Sequence, residues 1–160
     1  MDYPKQSTYI EAATAQASFP KFTRQNMFLM DPDATDLFFV DSDMMFQPDV
    51  LDTLLKHDKE IIGAQYCMRE TSGQPTVNTR HNLPGMSYPN HIFVNYAVSG
   101  GCMLIKREVF DKIPQPWFGL GTKEQWLGED VYFCEQARKS GIQVFMDAQV
   151  KVGHIGEAVY

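Results

Sequence analysis

The sequence lacks the features that mark several common classes of protein. It has no run of Lys and Arg, and 14 basic residues stand against 20 acidic ones, which leaves a net charge of −6. A nucleic-acid binder uses a positive patch, and a membrane-spanning helix needs roughly 20 consecutive apolar residues; the sequence has neither. Residues 1–9 also lack the basic and apolar regions of a signal peptide. We therefore expect a cytoplasmic chain with no nucleic-acid partner and no membrane span.

Cysteine is scarce, and its spacing matches no known motif. Cys67, Cys102 and Cys134 are far apart, odd in number and form no C-x-x-C motif. Zinc sites and dithiol redox sites need such a motif, so we expect neither. Buried free thiols in a reducing compartment are the expectation, because unpaired Cys is among the most frequently buried residues.

The chain has 160 residues, 44% of them hydrophobic, which is enough for a single domain over residues 1–160 with its own core. Short apolar runs alternate with segments of helical periodicity, a pattern typical of an α/β fold with a mostly parallel sheet. The pattern predicts strands at 37–40, 60–68, 91–98, 102–106 and 142–150, helices at 7–18, 21–30, 48–57, 107–113 and 129–141, and irregular chain at 70–90, 114–128 and 151–160.

Two carboxylates follow the apolar run Leu37–Val40. Asp41 and Asp43 are residues i and i+2, which point the same way along an extended chain, and ligands of open α/β sheets lie beyond the carboxyl ends of strands. Neighbouring carboxylates repel each other unless a proton or a cation intervenes, and a hard divalent ion with oxygen ligands removes the repulsion. The pair therefore predicts a metal site, with a turn formed by Asp and Ser as the alternative.

The segment DLFFVDSDMMFQPDVLDTLL resembles the D-x-D segment of nucleotide-sugar glycosyltransferases of the GT-A fold, of the family-2-like type. Four other segments are similar to that family in the same order: FTRQNMFLM, VSGGCMLIKREVFDKI, GEDVYFCEQARKSGIQVFMD and VKVGHIG. The resemblance covers residues 21–156. It implies a GT-A-like, Rossmann-like mixed sheet that is mostly parallel and flanked by helices. The usual first strands are not evident before residue 36, so we expect an N-terminally shortened form.

The resemblance also implies roles for individual residues. Asp43 would bind Mn²⁺ or Mg²⁺ on the donor diphosphate, and Asp41 would contact the ribose or a metal-bound water. His154 would be a further metal ligand. The alternative is a loop histidine that makes a structural hydrogen bond. In inverting members of the family this motif supplies the general base, which would be Asp130, with Glu129 as second choice; in retaining members the position plays another part. Acidic residues at a helix start also suit the helix dipole.

Six further residues are candidates for contacts with the donor or with a sugar. Gly100 and Gly101 would allow a close backbone approach to a sugar or phosphate, or else form a tight bend. Arg24 would meet a donor phosphate or base, or else face solvent on a helix. Aromatic residues of the loop at 114–128 would stack on a sugar or pack beneath the loop: Trp117, Phe118 and Trp126.

The leading hypothesis is a hexosyltransferase-like enzyme that moves a sugar from a nucleotide-sugar donor to a sugar or other hydroxyl acceptor. A second hypothesis is a non-catalytic remnant that binds nucleotide or metal and acts as an interaction module. A nucleotidyltransferase is third, but the sequence has no glycine-rich basic loop near its start. A sheet without its usual strands would expose an edge, so we also expect a homo-oligomer.

Overall fold

The computed structural model describes residues 31, 33–67, 92–119 and 128–155. Within them lie six strands and three helices. The strands are β1 (Asp36–Val40), β2 (Met44–Phe46), β3 (Ile61–Gln65), β4 (Ile92–Asn95), β5 (Cys102–Lys106) and β6 (Val144–His154). The helices are α1 (Val50–Lys56), α2 (Glu108–Lys112) and α3 (Glu129–Lys139).

The strands form one mixed sheet in the order β1-β5-β3-β6-β2, and β4 also pairs with β6. Of the five pairings among the described strands, only β3–β6 is parallel. The sheet approaches a barrel and carries few helices. The predicted GT-A-like, mostly parallel sheet flanked by helices is therefore wrong. The helices predicted at 7–18 and 21–30, and the predicted lack of earlier strands, lie outside the described residues.

The prediction of a parallel sheet failed because an apolar run reports burial and not strand direction. Residues 102–105 of β5 are at most 2% exposed, as expected for a strand covered on both faces. Yet β5 is antiparallel to both of its neighbours, β1 and β3. Helices and loops cover both faces of this sheet, so continuous apolar strands occur here without parallel pairing.

Apolar side chains pack on both faces of the sheet. Alternate residues of β5 contribute to different core clusters, since successive side chains of a strand point to opposite faces. The first cluster contains side chains from α2 and α3 and from one sheet face, and the second contains Val50 and Leu54 of α1 with the other face. Trp117 and Phe118 are buried in the first cluster, and the Trp117 Nε1–H donates to the Ile113 carbonyl.

Several predicted elements are confirmed within the described residues. The helix expected at 48–57 is α1, and the helix expected at 129–141 is α3. Gly141 follows the end of α3 with φ of 84°, the left-handed conformation that favours glycine at this position. Two predictions missed: β2 was not expected, and residues 151–154 continue β6 instead of forming irregular chain.

The strand directions gather several chain ends at one edge of the sheet. β1 and β3 are each antiparallel to β5, and β6 is parallel to β3, so β1, β3 and β6 run the same way. Their carboxyl ends therefore lie at the same edge as the amino end of β5. We call this edge the carboxyl edge, formed by residues 41–43, 66–67, 99–101 and 154. It holds most of the residues that the sequence marked as functional.

A bulge in β6 is held by a buried carboxylate. The register between β3 and β6 shifts after Ala64, and Asp147, which is 1% exposed, lies at this shift. Its Oδ1 accepts hydrogen bonds from the backbone N–H groups of Gln149 at 2.8 Å and Val150 at 3.3 Å. Its Oδ2 lies 2.8 Å from His57 Nε2, at the end of α1. One side chain thus joins the bulge to α1.

The three cysteines are free thiols, as predicted, with Cys102 and Cys134 buried and Cys67 partly exposed. Within the described ranges, no helix has the length and apolar character needed to cross a bilayer.

Burial makes the stability of the fold depend on alkaline pH. It raises the pKa of Cys102 and of Cys134 from 9.0 to about 12. The unfolded chain loses these protons above pH 9 while the folded chain keeps them, so the stabilisation is complete below pH 9 and is lost as the pH approaches 12. We expect the free energy of unfolding to fall by about 1.4 kcal/mol per pH unit for each thiol across this range.

Urea titrations at successive pH values measure this slope. Cys134→Ala should remove the contribution of Cys134 to this slope and leave the contribution of Cys102. A slope that is the same in both proteins would contradict the prediction.

Candidate functional site

The first part of the site is the turn that follows β1. Because Val40 pairs with Cys102, the next residue, Asp41, lies beside Gly101, and its N–H donates to the Gly101 carbonyl at 3.2 Å. The Met44 N–H donates to the Asp41 carbonyl at 3.1 Å and closes the turn. The Asp41 side chain is exposed and that of Asp43 is partly buried. The turn predicted as the alternative is therefore present, and it carries both carboxylates at the carboxyl edge.

The second part is the end of β6, which brings His154 to Asp43. β2 pairs with β6 so that Met44 is opposite His154, and the Ile155 N–H donates to the Asp43 carbonyl at 2.7 Å. His154 Nε2 then lies 3.5 Å from Asp43 Oδ2. The other ring nitrogen, Nδ1, is 3.3 Å from the Cys67 carbonyl oxygen. The structure therefore brings together two residues that are more than a hundred positions apart in the sequence.

The hydrogen bond to Cys67 sets the chemistry of His154. A carbonyl oxygen only accepts, so Nδ1 must carry the proton. In a neutral imidazole the Nε2 lone pair then faces the Asp43 carboxylate, and two acceptors at this distance need a proton or a cation between them. A backbone carbonyl bonded to one ring nitrogen is also the usual way in which a metal-binding His is oriented.

Asp43 and His154 fit the requirements of a divalent ion. Two ligands at about 2.1 Å in neighbouring positions of an octahedron are separated by about 3.0 Å, close to the observed 3.5 Å. No group of three His, Cys, Asp or Glu side chains that could hold a metal occurs among the described residues. Ions such as Mg²⁺ commonly use one or two protein ligands and complete their shell with water and substrate phosphates.

Asp130 reaches the same edge from the start of α3. Its Oδ2 accepts a hydrogen bond from the Gly100 N–H at 3.1 Å, and its Oδ1 accepts one from the Val131 N–H at 2.7 Å. A carboxylate has about four acceptor positions, so these two bonds orient it and leave positions for a ligand. Glu129, one residue earlier, is also partly buried.

Tyr66 lies between these groups and was not predicted. It follows the carboxyl end of β3 at Gln65, whereas the predicted strand extended to residue 68 and placed Tyr66 inside it. Burial is the main cause that raises the pKa of its phenol; a hydrogen bond with Ser99 opposes the rise, and the charges of Asp41 and Asp130 add to it. Both carboxylates are therefore close enough to act on one phenol group.

Gly101 is required where Tyr66 approaches the backbone. Its N–H donates to the Tyr66 hydroxyl oxygen at 3.1 Å. A Cβ at this position would come within 2.8 Å of the Tyr66 ring carbon Cζ and would also contact the Met44 sulfur at 3.3 Å. The group that approaches this glycine is a side chain of the protein, and the predicted approach of a sugar or phosphate stays a prediction.

The remaining predicted residues fall into three groups. Of the aromatic residues, Trp117 and Phe118 are in the core, so packing is the role the structure gives them. Arg24 and Trp126 lie outside the described residues. Gly100 and Gly101 lie in the site, where their N–H groups bond Asp130 and Tyr66.

Comparison with known proteins shows the fold of the chain alone. No family model matches it, and no curated protein matches it. Among solved structures it is similar to A197 from STIV, with a TM-score of 0.63 and 21% identity. The match covers 87% of this chain and 69% of that one.

The resemblance to GT-A glycosyltransferases is not borne out, and that prediction is wrong. The structural similarity is to A197 from STIV, and the sheet is mixed and close to a barrel. The motifs that carried the resemblance are short and lie at strand ends and turns. Such positions meet at one edge in more than one kind of sheet, so the motifs do not specify the fold.

Proposed function

We propose that the protein is a metal-dependent glycosyltransferase that moves a sugar from a nucleotide-diphosphate donor to a hydroxyl acceptor. The observation that carries the proposal is the pair formed by Asp43 and His154. Asp43 Oδ2 and His154 Nε2 lie 3.5 Å apart, and the Cys67 carbonyl lies 3.3 Å from the other nitrogen of the imidazole. Asp130, on the same edge, supplies the carboxylate that transfer to a hydroxyl group needs.

Asp43 and His154 would hold the ion, and an imidazole ligand favours Mn²⁺ over Mg²⁺, which prefers oxygen. The ion, when bound, neutralises negative charge on the departing diphosphate. A protein with a net charge of −6 and no basic phosphate-binding loop needs such help to bind a diphosphate. Asp41, exposed beside the pair, would accept hydrogen bonds from the ribose or from a metal-bound water.

Asp130 would act as general base toward the acceptor. Its carboxylate takes the proton of the acceptor hydroxyl as that oxygen bonds to the anomeric carbon and the bond from that carbon to the diphosphate oxygen breaks. The Gly100 and Val131 amides fix the orientation of the carboxylate before the acceptor arrives, which reduces the cost of aligning it in the transition state.

A second candidate function is a non-catalytic module that binds a metal and a nucleotide. It is favoured by the finding that no three ligating side chains converge on a metal position within the described residues. The two functions differ in one outcome, because a module binds donor without turning it over.

The test is calorimetry of a nucleotide-sugar panel with Mn²⁺, followed by assays of sugar transfer and donor hydrolysis. Binding that requires Mn²⁺, together with turnover, supports the enzyme. Metal-dependent binding without turnover supports the module. No binding of any donor, with or without metal, overturns both.

Asp130→Asn should lower kcat by about 100-fold, because the amide cannot take the acceptor proton. Donor and Mn²⁺ affinity should stay within about 2-fold of wild type, since the amide oxygen still accepts from Gly100. Glu129→Gln is the matched control on the same turn of α3 and should keep most of the activity. If Glu129→Gln had the larger effect on kcat, the base would be Glu129.

Two further features of the proposal concern the surroundings of the enzyme. The free thiols Cys102 and Cys134 suit a reducing compartment such as the cytoplasm.

Self-association through a strand edge stays a prediction. Val94 of β4 is 56% exposed, and β4 pairs with β6 alone among the described strands. Light scattering that finds a monomer at high protein concentration would contradict it.

A further inference from the structure

The hydroxyl of Tyr66 is bonded to the segment that orients Asp130. The Gly101 N–H donates to the phenol oxygen at 3.1 Å, and the preceding N–H, of Gly100, donates to Asp130 Oδ2 at 3.1 Å. These two amides belong to adjacent residues, so holding one in place limits the direction of the other. Tyr66 packs so closely against this segment that a Cβ at Gly101 would clash with its side chain.

The ring of Tyr66 contacts the other half of the site. It meets the His154 imidazole edge to face, with 5.7 Å between ring centroids and 82° between planes. The next residue, Cys67, supplies the carbonyl that accepts from His154 Nδ1. Residues 66–67 therefore restrict the imidazole from two directions, through an aromatic contact and through a hydrogen bond. Tyr66 is 7% exposed and packs in the second core cluster, so its position is set by the core.

We infer that Tyr66 is the positioning residue that joins the two halves of the site. Its hydroxyl holds the Gly100–Gly101 segment, which orients Asp130, and its ring holds His154 beside Asp43. In this role Tyr66 acts through Asp130 and His154. This inference deepens the proposed function, but it concerns the arrangement of side chains, and amide exchange tests it without any assay of activity.

Two variants separate the hydroxyl from the ring. Tyr66→Phe keeps the contact with His154 and removes the acceptor for the Gly101 N–H. We expect the Gly100 and Gly101 amides to exchange about 5- to 10-fold faster, because the segment loses one hydrogen bond. The Ile155 amide, which reports the Asp43 segment through its bond to the Asp43 carbonyl, should keep its wild-type rate. In the enzyme, kcat should fall about 10-fold with KM for donor unchanged.

Tyr66→Leu removes both the hydroxyl group and the aromatic ring. The Ile155 amide should then exchange about 10-fold faster as well, and Mn²⁺ affinity should fall by about 10-fold, as for other residues that orient a metal ligand. Tyr132→Phe is the matched control, since its ring packs against Gly119, and it should change none of these rates. The amide of Leu104 in the core monitors general loss of stability.

The pattern across the two variants decides the inference. Wild-type exchange at Gly100 and Gly101 in Tyr66→Phe would overturn it, and so would equal acceleration at Gly101, Ile155 and Leu104. Tyr66→Phe alone suffices if Tyr66→Leu does not fold. Absence of turnover in wild type would remove the proposed function, while the amide rates would still test the role of Tyr66.

Discussion

Asp43→Ala will abolish metal-dependent donor binding and lower kcat/KM by about 1,000-fold. The variant removes one of the two side chains that face each other at 3.5 Å and leaves His154 as a single ligand. A divalent ion held by one imidazole loses both a charged ligand and the geometry that the pair provides. The effect should be large because the proposed reaction depends on the ion to neutralise the departing diphosphate.

Calorimetry of Mn²⁺ and donor binding measures the first part of this result, and transfer kinetics measure the second. Asp33→Ala is the matched control, because Asp33 is an exposed carboxylate before β1, at the opposite end of that strand. It changes the net charge equally and should bind donor like wild type. Donor binding by Asp43→Ala at wild-type affinity would show that the metal, or the donor, lies elsewhere.

Asp147→Ala will lower the free energy of unfolding by about 3–5 kcal/mol. The carboxylate is 1% exposed and accepts from two backbone N–H groups in the β6 bulge, and it also pairs with His57. Its removal leaves a cavity and polar groups without their partner, and each unsatisfied buried group costs about 1–3 kcal/mol. The bulge should become less ordered, and β6 should lose the side-chain contact that joins it to His57 at the end of α1.

Urea unfolding measures this loss of stability. Asp147→Asn is the second variant to be measured. The Asn oxygen can still accept from Gln149 and Val150, so this variant should lose about half as much stability if the bulge bonds dominate. Asp52→Ala, at an exposed site on α1, controls for loss of a carboxylate. A loss of less than about 1 kcal/mol in Asp147→Ala would mean that the bulge does not depend on this side chain.

The local structure was largely readable from the chain. The apolar run of β5 was predicted to the residue, and the capping glycine Gly141 marked the end of α3, because these features depend on neighbours in the sequence. The tail was misread because Lys151, Gly153 and His154 have little strand character. They join β6 through pairing with β2, which is a contact between distant segments.

The candidate site was predicted in its residues more than in its geometry. Asp43 and His154 were both expected to bind metal, and the structure places them together. The residues that follow these strands meet at one edge although the sheet is mixed, because β1, β3 and β6 run in the same direction. Tyr66 was missed because its role depends on Gly101 and His154, and neither residue is near it in the sequence.

By itself, the sequence determined which segments are buried, where the helices α1 and α3 lie to within two residues at each end, and which acidic groups follow buried strands. These properties arise from composition and from periods of two or 3.6 residues, and they need no knowledge of distant partners. Only the tertiary structure decided strand direction and the meeting of Asp43, Tyr66, Asp130 and His154. Pairing in a sheet is set by the packing of whole faces and by loop closure, which no short motif records.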